Sequence, residues 1–147
     1  MSRRTWPASA IRRVISRVIG FSVTTPLIAI VDDDESVCIG LTSLVRSLGY
    51  EAQSFGSAED FLGWAGRDGT ACLISDVQMP GLGGLDLQKA LVAEGRQVPI
   101  IFITAYPDPH VQQLATQAGA LCFLSKPFDG DALIKCLGTA LGTDGAP

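Results

Sequence analysis

The sequence predicts an open α/β fold: a doubly wound, five-stranded parallel sheet flanked by five helices. Three observations carry this expectation. Short apolar runs alternate with longer stretches of helical periodicity from Leu27 to Leu141. Four of the five short runs are nearly continuously apolar, the pattern of strands covered on both faces. The chain has 147 residues, 47% of them hydrophobic and 18% charged, enough for one packed domain with little room for a second.

Each element has its own signal. The first strand is LIAIV at 27–31, entered from Pro26 and followed by an acidic run. Val37, Leu41, Leu44, Val45 and Leu48 then fall on one helical face, and Gly49 supplies the stop. The second strand, 51–55, is more polar (Glu51, Gln53 and Ser54), which suits the edge of a sheet. Ser57 is a natural cap for a helix carrying Phe61, Leu62 and Trp64. The third strand covers 71–75, and Leu85, Leu87, Ala90, Leu91 and Val92 mark the helix after it. The fourth strand, 99–103, precedes a helix with Val111, Leu114, Ala115 and Ala118 that Gly119 stops. The fifth strand, 121–124, leads to a last helix with Leu133, Ile134, Leu137 and Leu141, started near Asp129 or Asp131. Right-handed crossovers leave few strand orders, and the flavodoxin-like order 2-1-3-4-5 is the commonest for five strands.

Charge divides the chain. Residues 1–25 hold five arginines and no acid, and the remainder holds six basic groups against all fifteen acids, so the two parts carry +5 and −9. An acidic body repels a phosphate backbone, so no direct nucleic-acid contact by this domain is expected. In the basic part, Ile11, Val14, Ile15, Val18 and Ile19 share one helical face beside Arg12, Arg13 and Arg17. That pattern suits an anionic membrane or a docking partner, and an Arg-rich, acid-free start also resembles an organelle transit peptide. The simplest expectation is a mobile basic N-terminal extension over 1–25, a body over 26–142 and a short tail over 143–147. No stretch of about 18 uncharged apolar residues occurs, so no membrane span is expected. Cys38, Cys72, Cys122 and Cys136 stand far apart without a C-x-x-C, which argues against zinc. Cys72, Cys122 and Cys136 lie in apolar runs, where reduced packing thiols are expected, as in a cytoplasmic chain.

In such sheets the ligand crevice lies outside the carboxyl ends of the strands. The first strand ends in Asp32-Asp33-Asp34-Glu35, the third in Asp76, the fourth in Thr104 and the fifth in Ser125-Lys126-Pro127. Carboxylates converging in one cleft repel one another unless a cation joins them, and oxygen ligands with open positions suit Mg²⁺. A carboxylate can attack phosphorus, and a metal, Lys and Thr around it stabilise the charge of the transferred phosphoryl group.

The segments IVDDDES (30–36), LISDVQMPGLGGLDL (73–87), FITA (102–105) and FLSKPF (123–128) closely resemble the receiver domain of two-component response regulators. The resemblance covers about 26–142, and SAEDFL (57–62) is similar to the nitrogen-fixation transcription regulator subfamily. It implies a phosphorelay role, with Asp76 accepting a phosphoryl group from a sensor histidine kinase in a Mg²⁺-dependent step, Mn²⁺ being an alternative ion. Asp32, Asp33, Asp76 and the Gln78 backbone carbonyl match the metal ligands. Thr104 and Lys126 match the groups that meet the phosphoryl, and Thr104 with Phe123 matches the switch pair. Pro127 matches a proline that often follows in a cis bond, and Gln78 and Tyr106 match positions that tune phosphate lifetime. Val111, Gln112, Phe123 and Lys135 fall on the face of the fourth helix, fifth strand and fifth helix, where partner contacts are expected.

Other features are read more plainly. Gly81, Gly83 and Gly84 have the wrong spacing for a phosphate-cradling loop and predict a tight turn. His110 is not expected to be a phosphodonor. Only Gly142–Pro147 follow the last helix, too few for a DNA-binding domain, so output is expected from a downstream protein or a missing output domain, with a phosphorylation-dependent homodimer as a further option. Two rival readings exist. One is a docking module that works without phosphorylation. The other is a haloacid-dehalogenase-type phosphatase, since Asp32-x-Asp34-x-Ser36-Val37 follows a strand and would make Asp32 the nucleophile.

Overall fold

The structure, a computed structural model, describes residues 25–142. The expectations for residues 1–24 and 143–147 lie outside the described residues. Five parallel strands, β1 (Leu27–Val31), β2 (Glu51–Phe55), β3 (Thr70–Asp76), β4 (Ile100–Thr104) and β5 (Cys122–Ser125), form one sheet in the order β2-β1-β3-β4-β5. The helices are α1 (Glu35–Ser47), α2 (Ala58–Leu62), α3 (Gly84–Ala93), α4 (Pro109–Gln117) and α5 (Gly130–Ala140), with a 3₁₀ turn at Arg67–Gly69. The expected fold class and strand order are therefore those observed.

Strand alternation splits the core in two. Ile28, Ile30, Cys72, Ile74, Ile101 and Ile103 face one side and pack on Leu41 and Val45 of α1 and Leu133 and Leu137 of α5. Ala29, Val31, Leu73, Ile100 and Phe102 face the other, against Phe61 of α2, Leu87 and Leu91 of α3 and Ala115 of α4. The six isoleucines are buried, each contributing about 1.5–3 kcal/mol, so β1, β3 and β4 form a stiff floor beneath the strand ends. Helix starts follow the sequence signals: Asp34, Ser57, Asp108 and Asp129 all accept a backbone N–H at their helix N-termini.

Three expectations need correction. The second helix is only five residues long and ends before Trp64. Gly63 closes it, and Trp64 turns back to stack on Phe55 at 5.2 Å, over Gly66, where any Cβ would strike the indole. The fifth strand is covered less deeply than its apolar run predicts: it is the second edge of the sheet, and Cys122 and Leu124 on one face and Phe123 on the other are only half-buried. The cysteines are not all free thiols. Cys122 and Cys136 are joined by a disulfide, with Cα atoms 6.3 Å apart. Sequence separation concealed this, because only the packing of α5 on β5 brings the pair together. Cys38 and Cys72 are buried and free, as expected for Cys72 from its apolar run. Among the described residues no helix is long and apolar enough to cross a membrane.

Candidate functional site

The carboxyl ends of β1, β3, β4 and β5 meet at one cleft. Asp32 follows β1 and is nearly inaccessible, held by its own N–H to the Phe55 carbonyl at 3.1 Å. Its Oδ1 accepts the Asp34 N–H at 2.9 Å. Asp33 is exposed beside it. Asp76 closes β3, also buried, and its Oδ1 accepts the Gln78 N–H at 3.0 Å. Both short loops fold the backbone over the carboxylate two residues earlier, which fixes each side chain's direction.

Lys126 reaches this pair from the far edge. Its Nζ donates to Asp32 Oδ2 at 3.0 Å and Asp76 Oδ2 at 2.9 Å. Its backbone is anchored by an N–H to the Thr104 carbonyl at 2.7 Å, and the Lys126–Pro127 bond is cis. Thr104 ends β4, fully buried, and its Oγ1 accepts the Tyr106 N–H at 3.1 Å. Gln78 and Tyr106 stand exposed at the rim. Phe123 is half-buried on the opposite face of β5 from Cys122 and Leu124, against Phe102 at 6.3 Å between ring centroids.

The electrostatics follow from this crowding. Burial pushes the Asp32 carboxyl above its ordinary range; the Asp34 N–H and Lys126 pull it down, and the Asp76 charge adds to the rise. For Lys126, burial works against the ammonium, but hydrogen bonds to Asp76 and Asp32 outweigh it and its pKa is raised. Exposed Asp34 is lowered by the Ser36 hydroxyl and amide that it caps. Asp32, Asp33 and Asp76 each offer a carboxylate oxygen, and these atoms lie within 4.8 Å of one another. Three convergent oxygens with one side open fit a hard divalent cation, which would supply the second positive charge that one ammonium cannot.

Two supporting groups carried no sequence signal. Glu59 of α2 accepts the Leu82 N–H at 3.1 Å and so braces the loop after Asp76. Gln88 of α3 is buried and donates to the Ala115 carbonyl at 3.0 Å, tying α3 to α4. The glycine turn has a sharper purpose than a turn alone. Gly81 adopts φ +76°, and Gly84 lies so close to β3 that a Cβ would overlap the Asp76 carbonyl oxygen.

Residues 28–138 match the Response regulator receiver domain family. This chain belongs to that family. The receiver is 45% identical over 115 residues to the response regulator protein TmoT of Ectopseudomonas mendocina, covering 78% of this chain and 52% of that protein. It is 36% identical over 113 residues to the transcriptional regulatory protein FixJ of Azorhizobium caulinodans, covering 77% and 54%. Among solved structures, the FixJ-N crystal structure superposes with a TM-score of 0.73 at 30% identity, covering 84% of this chain and 99% of that one. The chain thus spans about half the length of the curated relatives it matches. The resemblance to the nitrogen-fixation regulators agrees with these relatives. Membership in the receiver family sets aside the haloacid-dehalogenase-type reading.

Proposed function

We propose that this receiver is the Mg²⁺-dependent phosphoacceptor of a two-component phosphorelay and that Asp76 carries the phosphoryl group. One observation bears most of the weight: Asp76 and Asp32 share the Lys126 ammonium while their carboxylates converge with Asp33. In the transfer, an Asp76 carboxylate oxygen forms the new P–O bond as the P–N bond to the kinase histidine breaks, and the imidazole leaves with the electron pair. Lys126 then moves from carboxylate to phosphoryl oxygen without leaving the cleft, and the Thr104 hydroxyl turns to donate to a second oxygen. Asp32, Asp33, Asp76 and the Gln78 backbone carbonyl would hold Mg²⁺, or Mn²⁺ in its place, which when bound neutralises charge on the phosphoryl oxygens. The rim residues Gln78 and Tyr106 govern water access and so the lifetime of the phosphate.

The switch follows from the same groups. Thr104 moving inward leaves room for Phe123, and the face of α4, β5 and α5, with Val111, Gln112, Phe123 and Lys135, changes shape. We assign that face to a downstream output, whether a separate protein, an output domain or a second copy of the receiver. A sensor histidine kinase is the donor, the compartment is the cytoplasm, and the acidic surface makes no direct contact with nucleic acid.

The test is intact mass after incubation with acetyl phosphate, with and without Mg²⁺, beside Asp76→Asn. A single phosphoryl gain that requires both Mg²⁺ and Asp76 is expected. A gain that survives Asp76→Asn overturns the assignment of the acceptor. No gain in folded wild type favours a module that docks without phosphorylation.

A further inference from the structure

The disulfide sits where it can speak to the phosphoryl site. Cys122 opens β5 and faces α5 together with Leu124, two residues on. Cys136 lies on the buried stripe of α5 with Leu133 and Leu137, at helical spacings of three and four. The two Cα atoms, 6.3 Å apart, fall within the distance a disulfide spans. The docking of α5 on β5 brings the two positions together. The enclosed segment is not neutral ground. It contains Phe123, Ser125, Lys126 and Pro127, as well as Asp129, the cap of α5. Lys126 is the sole ammonium shared by Asp32 and Asp76 among the described residues.

We propose that Cys122 and Cys136 form a reversible thiol–disulfide site whose oxidation state sets how readily the receiver accepts phosphate; this rests on Asp76 being the acceptor. The oxidant is a small disulfide of the glutathione class. The thiolate of Cys122, half-buried and the more accessible of the two, attacks one sulfur of the oxidant and expels a thiolate. The Cys136 thiolate then attacks the Cys122 sulfur of that mixed disulfide and expels the second. Both protein thiols give up their protons to the departing thiolates, two electrons pass to the oxidant, and one disulfide is exchanged for another. The remaining cysteines are built differently. Cys72 is enclosed in the sheet with its thiol pushed up to about 12 by burial, and Cys38 is raised by burial and by the Asp32 charge behind it.

Oxidation staples β5 to α5 on the face that must change shape when Phe123 moves. The oxidised form therefore resists the phosphorylated arrangement, and the reduced form accepts it more readily.

The experiment has two arms. In the first, the protein is equilibrated with reduced and oxidised glutathione at a series of ratios, then denatured, alkylated and mapped by mass. A single linkage of Cys122 to Cys136, reversed by dithiothreitol, is expected. Four alkylated thiols at the most oxidising ratio, or linkage through Cys38 or Cys72, overturns the site. In the second, oxidised and dithiothreitol-reduced wild type are given acetyl phosphate and Mg²⁺, and phosphoryl occupancy is read by intact mass. Occupancy several-fold lower in the oxidised protein is expected, with no such difference in Cys122→Ser/Cys136→Ala carried through the same treatments. Equal occupancy in the two wild-type forms overturns the coupling. No phosphoryl gain in either form overturns it together with the acceptor assignment, while the first arm still judges the disulfide. The wild-type comparison needs no variant, so a poorly folding double substitution does not decide the matter.

Discussion

Among the described residues the two ends of the sheet each hold two ion pairs, and they are built on opposite plans. At the amino end Arg67 pairs with Glu94 at 2.7 Å and Arg96 with Asp68, one cation to one carboxylate, all with substantial exposure. At the carboxyl end one ammonium serves two carboxylates, of which Asp32 shows 0% and Asp76 9% side-chain exposure. Exposed, matched pairs need nothing more, because water screens whatever charge remains. Buried, mismatched pairs keep an excess negative charge in a medium that screens it poorly, and that excess is a standing attraction for a cation. The same chemistry therefore stitches loops at one end and leaves an unmatched charge at the other. The difference lies in stoichiometry and burial, not in residue type.

The sharpest way to break this contrast is to remove the shared cation. Lys126→Met is expected to lower the rate of phosphorylation by acetyl phosphate about 10²-fold, the usual loss for one preorganised donor, measured by the time course of intact mass. The same variant carries a pH signature. The folded pKa of Lys126 lies above its ordinary value, so the stability it contributes is complete below about pH 10.5 and is lost as pH rises through the raised value. Urea unfolding of the wild type should weaken over that alkaline window, and Lys126→Met should lack this loss. A wild-type profile as flat as the variant's would remove Lys126 from any stabilising role.

Backbone proximity at the carboxyl end gives the next largest effect. Gly84→Ala forces a methyl against the Asp76 carbonyl and to within 2.9 Å of the Phe102 ring, and is expected to cost about 1–3 kcal/mol in urea unfolding while also slowing phosphorylation. Unchanged stability would mean that α3 shifts freely away from β3. The smallest effect belongs to the other end of the sheet. Arg96→Ala should cost at most about 1 kcal/mol and leave phosphorylation unchanged, because its charge is matched and partly solvated. A marked loss of phosphorylation there would show that the two ends are coupled through α3 and the contrast is false.

Much of this is legible in the amino-acid sequence. Asp32, Asp76, Thr104 and Lys126 could be placed at strand ends because parallel strands must all point their carboxyl ends the same way, so four sequence positions imply one cleft. The glycine run announced a turn, but not that Gly84 had to be bare for α3 to reach Asp76. Glu59 and Gln88 gave no signal, since a lone polar residue on a short helix reads the same whether it braces a loop or faces water. Trp64 misled because apolar spacing cannot tell a helix from a turn that folds back onto Phe55.

Periodicity, caps and chirality act over a few residues at a time, and they sufficed for the alternation of strands and helices and for the strand order, while the site residues could be nominated from the strand ends. Only the tertiary structure decided the sharing of Lys126 between Asp32 and Asp76, the half-burial of β5 and the meeting of Cys122 with Cys136. Each of those depends on distances across elements, and such distances are fixed by how α5, β5 and their neighbours pack, which no local pattern records.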